Sequence, residues 1–167
     1  MRKWFFLFII VVLGLLEVAV LDYFKIFGVK PDLFLIVVVI LSLFFELKGV
    51  IFFVIFAGVL KDAFSINTFG INTLLLPLWS FLIMKLSKRI SIDNNFILMA
   101  VIFIITASHN IITGLILVFS GGFFIPLGIS LRIAFLESLY TAIIAPLVFK
   151  IFRTFPRWLP QGAWNWE

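Results

Sequence analysis

Long apolar blocks, broken by short polar seams, set the pattern of this chain. Phe34 to Ile40 and Phe96 to Ile105 are apolar without interruption. A membrane barrel strand would alternate apolar and polar residues, so strands are excluded and helices expected. Six blocks can be drawn: about Trp4 to Leu21, Pro31 to Phe45, Val50 to Phe64, Ile71 to Met84, Phe96 to Phe119, and Pro126 to Phe149. A membrane helix uses about 20 residues; the second to fourth blocks are short and would have to stand nearly upright or thin the bilayer locally. The seams hold the breakers: Lys25, Gly28 and Lys30; Glu46, Lys48 and Gly49; Ser65 to Gly70; Lys85 to Asn95; and Gly121-Gly122. Pro31 suits a helix start, where its missing N–H costs nothing. Pro77 and Pro146 fall inside the fourth and sixth blocks, where a kink is expected.

Composition places these helices in lipid. Of 167 residues 64% are apolar and 13% charged, whereas a soluble domain carries about 25% charged residues. The expectation is an all-α integral membrane protein, a compact bundle of about six transmembrane helices. Residues 1–155 would form that single domain and 156–167 a short aromatic tail at the cytoplasmic interface, anchored by Trp158, Trp164 and Trp166. With no cysteine and one histidine, neither a thiolate nucleophile nor a multi-His metal site can be built. No cofactor and no metal are expected. The net charge of +5 reads as loop lysines and arginines meeting anionic lipid rather than as a nucleic-acid surface. Met1-Arg2-Lys3 before an apolar run imitates a secretory signal, but Glu17 to Leu21 makes a poor cleavage site. A retained first span is expected.

Alternate seams differ in basic residues. One side collects Arg2, Lys3, Lys48, Lys85, Lys88, Arg89, Lys150, Arg153 and Arg157; the other collects Lys25 and Lys30, with Lys61 and Arg132 inside spans near it. By the positive-inside rule both termini are cytoplasmic.

The remaining signal is polar groups inside spans. A charge at a span's centre costs about 2.5–3.5 kcal/mol on insertion scales, so each calls for a sheltering partner. Lys61 and Asp62 are adjacent on a helix and point about 100° apart, so Asp62 needs a partner on another helix. Arg132 falls at similar depth and is the expected one. Glu17, Lys61, Asp62, His109, Asn110, Arg132 and Glu137 would make a buried polar cluster in the outer half of the membrane. Such a cluster can hold helices in register, line a ligand pocket or face a partner. His109 is expected to bond between helices. No convergent nucleophile and base is evident, so an enzyme is not expected.

Several residues carry a resemblance. Lys30-Pro31-Asp32-Leu33 before an apolar run resembles the Pro-Asp start of the second span in the rod shape-determining protein MreD family. Gly58, Asp62, Gly70 and Asn72 are similar to its central signature, a glycine, an aspartate one turn later, a short loop, then Gly and a small polar residue. Leu139 to Leu147 is similar to its last helix. Lys61 departs from the usually apolar position before the aspartate. Independently of the family, Gly58 and Asp62 share a helix face, Gly70 can take a positive φ, and Asn72 can cap the fourth helix.

The resemblance implies a non-catalytic membrane scaffold of the bacterial cell-elongation machinery, in the cytoplasmic membrane. It implies binding to an MreC-type bitopic protein and, through it, linkage to MreB filaments and the peptidoglycan polymerase and transpeptidase. A homodimer is left open. The alternative is a substrate-binding membrane subunit of an energy-coupling-factor-type vitamin transporter, also a six-helix protein, whose fold the bundle is expected to resemble.

Overall fold

The computed structural model describes residues 2–19, 23, 25, 27–45, 47–65, 70–87, 94–119 and 126–153. They form six α-helices: α1 Arg2–Ala19, α2 Leu33–Phe44, α3 Leu47–Phe64, α4 Ile71–Ser87, α5 Asn95–Phe119 and α6 Leu127–Arg153. The Trp-rich tail, the 88–93 seam and Gly121-Gly122 lie outside the described residues.

The helices correspond to the six apolar blocks, with shifted ends. Pro31 lies outside α2, whose N-cap is Asp32; the aspartate's side chain, rather than the proline ring, defines the start. Lys48 and Gly49, expected in a turn, belong to the first turn of α3. Pro77 and Pro146 sit inside α4 and α6. α5 and residues Gly128–Phe152 of α6 are each long and apolar enough to cross a membrane.

Helix α2 is the axis of the bundle and touches all five others. Eleven of its 12 residues are buried, which accounts for a segment apolar all round. Leu35, Ile36, Val39 and Ile40 pack towards α4, α5 and α6. Phe34, Val37, Val38 and Leu41 pack towards α1, α3 and α4. Helices α3 and α4 form one hairpin, and α5 and α6 another. In lipid the helices gain nothing from leaving water, so small residues and interhelical hydrogen bonds hold them together. Ser42 donates to the Val38 carbonyl at 2.6 Å and lies 2.8 Å from Ser80, tying α2 to α4.

The helices are unequal. At 1.5 Å per residue α2 is about 18 Å long, whereas α5 and α6 reach about 37 and 40 Å. The Asp32 N–H donates to Thr141 Oγ1 at 3.0 Å, so α2 begins about 21 Å down α6 from Leu127. At its other end Phe44 stacks on Phe149, ring centroids 5.4 Å apart. The α5–α6 hairpin therefore extends past the start of α2. We call the face where α2, α4 and α6 begin the upper face.

Candidate functional site

The first turn of a helix leaves N–H groups without partners inside the helix and carries partial positive charge. In this bundle carboxylates from neighbouring helices answer that need twice.

At the start of α4, Asp62 reaches across from α3. Its Oδ1 accepts from the Asn72 backbone N–H at 3.0 Å and from Asn72 Nδ2 at 2.8 Å. Its Oδ2 accepts from the Thr73 N–H at 2.8 Å and from Thr73 Oγ1 at 2.5 Å. One buried carboxylate thus caps the helix from outside its own chain segment. Two glycines permit this. Gly58, one turn before Asp62, lies so close to α4 that a Cβ there would stand 2.7 Å from Thr73 Cα and 2.9 Å from the Asn72 carbonyl oxygen. Gly70 holds φ at +85° in the turn before α4, a conformation other residues resist.

At the start of α2 the arrangement recurs with two acids. Asp32 Oδ1 accepts from the Leu35 N–H at 2.9 Å, as an N-cap does. Glu17 Oε2, from α1, accepts from the Phe34 N–H at 3.1 Å. Lys61 Nζ, from α3, donates to Asp32 Oδ2 and forms an ion pair. Lys30 Nζ donates to the Glu17 carbonyl oxygen at 3.1 Å. Thr141 of α6 accepts the Asp32 N–H and donates to the Glu137 carbonyl oxygen at 2.7 Å.

His109 links this layer to the interior. Trp79 Nε1–H donates to His109 Nδ1 at 3.2 Å, which makes Nδ1 an acceptor. Nε2 then carries the proton and donates to Asn72 Oδ1 at 3.1 Å, an assignment made from bond directions. Asn72 in turn donates to Asp62. Trp79, His109, Asn72 and Asp62 form one directional chain through α4, α5 and α3, every donor meeting an acceptor.

The structure corrects two expectations. Among the described residues Asp62 and Arg132 are not paired: Asp62 is bonded to α4, and Arg132 is exposed on α6. The carboxylate found N–H groups nearer than a guanidinium: its neighbour Lys61 reaches Asp32, at the level of Thr141, whereas Arg132 lies nine residues, about 13 Å, up α6 from there. Asn72 is not the cap of α4; its side chain bridges Asp62 and His109, and Asp62 is the cap. Glu17, Asp32, Lys61, Asp62, Asn72 and His109 gather in the capped layer. Glu137 stands beside Asn110, and Pro31 is buried just before the Asp32 cap. Sequence reasoning missed Thr73, Trp79 and Thr141. Lys61 against Asp32 had a signal, since an intramembrane lysine needs an acid on another helix.

Bonds of this kind neutralise charge and fix register. Among the described residues no three of His, Asp and Glu are placed to hold a metal ion. A helical bundle spanning a membrane, with its acids committed to helix starts, defines a structural, multi-pass membrane protein. The chain belongs to the rod shape-determining protein MreD family, which it matches over residues 1–155. It is accordingly a non-catalytic shape-determining protein of the bacterial cell-elongation machinery. No curated protein and no solved structure matches the chain.

Proposed function

We propose that this protein acts as a membrane scaffold that binds an MreC-type bitopic protein. Through that partner it would couple MreB filaments on one side of the membrane to the peptidoglycan polymerase and transpeptidase on the other. The observation that carries this reading is the commitment of Asp62, Asp32 and Glu17 to capping helices α4 and α2. Carboxylates so engaged stiffen a docking platform. The lipid-facing surface left to a partner is broad, with Phe52, Leu74, Phe135 and Leu147 each more than half exposed.

The basic residues support a cytoplasmic-membrane location with both termini inside, the upper face then being outermost. Residues 1–155 would constitute one six-span domain and 156–167 an interfacial tail. Six helices of this length also suit a likeness to the substrate-binding subunits of energy-coupling-factor transporters.

Affinity purification from a rod-shaped host, in mild detergent, tests the reading. A bitopic coiled-coil protein should co-purify stoichiometrically, and depletion of this chain should turn rods into spheres. Rods that stay normal after a clean deletion, with no paralogue, refute the role. A reporter fused to the C-terminus and found active outside the cytoplasm refutes the orientation alone.

A further inference from the structure

The hydrogen bonds of the capped layer fix all six helices at one common level. Glu17 of α1 accepts from Phe34 of α2, and the Asp32 N–H donates to Thr141 of α6. Asp62 of α3 accepts from Asn72 of α4, which in turn accepts from His109 of α5. Below that level every helix runs a similar distance, about 18–22 Å, to Arg2, Phe44, Leu47, Ser87, Asn95 and Arg153. Above it they part. Helices α1 to α4 end or begin within two residues of the level. Helix α5 continues from His109 to Phe119, about 15 Å, and α6 from Thr141 to Leu127, about 21 Å.

The continued part is apolar on its outside. Ile111, Leu115 and Val118 of α5 and Ile133, Phe135 and Leu139 of α6 are exposed, so hydrocarbon must cover them. Arg132, exposed just above, suits the headgroup level. It stands about 31 Å up α6 from Arg153, one full hydrocarbon thickness of about 30 Å.

The other flank cannot be covered to that height. Above the level its chain leaves the helix: among the described residues Phe27, Gly28 and Gly70 hold positive φ. Backbone N–H and C=O groups outside a helix find no partners in hydrocarbon. Tyr23 and Lys25, exposed in the α1–α2 seam, are residue types of the headgroup level. Hydrocarbon along α1, α3 and α4 therefore stops near the capped layer, about 22 Å above their lower ends. Tilting the bundle cannot reconcile the two flanks, because it would displace lower ends that are now level.

We propose that the protein holds two bilayer thicknesses at once: a full one along α5 and α6, and an upper leaflet drawn down by about 10 Å along α1, α3 and α4. The partner of that flank is phospholipid, with its headgroups lowered to the capped layer. This surface requires only that the chain spans the membrane; it depends neither on the scaffold role nor on which face is outermost.

Leu74 of α4, Leu15 of α1 and Ile143 of α6 are exposed, and each lies two residues below the common level. The chain has no cysteine, so Leu74→Cys, Leu15→Cys and Ile143→Cys can each carry a single nitroxide in vesicles of dioleoylphosphatidylcholine. Collision rates with oxygen, which prefers hydrocarbon, and with a water-soluble nickel chelate report the depth of each label. The label at position 74 should lie about 10 Å shallower than the one at 143. Position 15 repeats the measurement on a second helix of the same flank, should Leu74→Cys fail to fold. Phe81→Cys and Ile151→Cys, nine and ten residues below the level on α4 and α6, should lie at equal depth to within about 2 Å. Equal depths on the two flanks, at 74 or 15 against 143, overturn the proposal. So does a label at 81 deeper than that at 151 by as much as 74 is shallower than 143, which would mark a tilted bundle in an undeformed bilayer.

Discussion

Lys61 of α3 is paired with Asp32, the residue that caps α2. The pair fastens the third helix to the first turn of the central one, and the Asp32 side chain is 1% exposed. Removing one partner of a buried pair strands the other charge, at about 3–5 kcal/mol. Lys61→Met is therefore expected to lower the thermal unfolding midpoint of the detergent-solubilised protein sharply. Asn is also a good N-cap, so Asp32→Asn with Lys61→Met should cost less than the two single changes summed. Additive losses would mean that the pair does not couple the helices.

Asp62 predicts a different pattern. Four hydrogen bonds converge on it from the first turn of α4. Asp62→Ala leaves buried donors unmet, each at about 1–3 kcal/mol, and should be among the most damaging single changes. Arg132 is exposed, and Arg132→Ala should stay within about 0.5 kcal/mol of the parent. The double variant should show simple additivity, readable from the same melting curves.

Close approach at Gly58 makes its own prediction. The atoms a Cβ would meet are backbone atoms of Asn72 and Thr73, which cannot swing aside as a side chain would. Gly58→Ala should push α3 from α4 and cost about 1–3 kcal/mol. Gly49, also in α3, has nothing within 4 Å of its would-be Cβ. Gly49→Ala should be neutral or stabilise by about 0.5–1 kcal/mol. Equal effects at the two positions would contradict the packing described.

His109→Phe removes the acceptor for Trp79 Nε1–H and the donor to Asn72 Oδ1. Each stranded group should cost about 1–3 kcal/mol. Trp79→Phe in that background deletes one of the stranded groups, so the double variant should lose less than the sum of the single losses. A double variant as damaged as that sum would break the chain of bonds proposed between α5 and α4.

Much of the architecture was legible without coordinates, because burial in lipid writes itself as long apolar runs. Six blocks mapped onto six helices, and their polar residues marked where helices needed shelter. The start of α2 was expected at Pro31, and the structure moves it to the Asp32 cap. Partner choice was another matter. Asp62 was assigned to Arg132 by an expected equal depth, but Arg132 lies nine residues up α6 from Thr141, and a sequence fixes neither the offset between helices nor rotation about their axes.

The amino-acid sequence by itself determined the solvent, the number of helices and the need for each buried charge to be met, all of which follow from local composition and periodicity. Only the tertiary structure decided who meets whom. Lys61 went to Asp32, and Asp62 to the Asn72 and Thr73 amides. Those pairings depend on the close contact at Gly58 and on the level at which the short α2 begins. Both are distances between segments remote in the chain, set by packing all six helices at once.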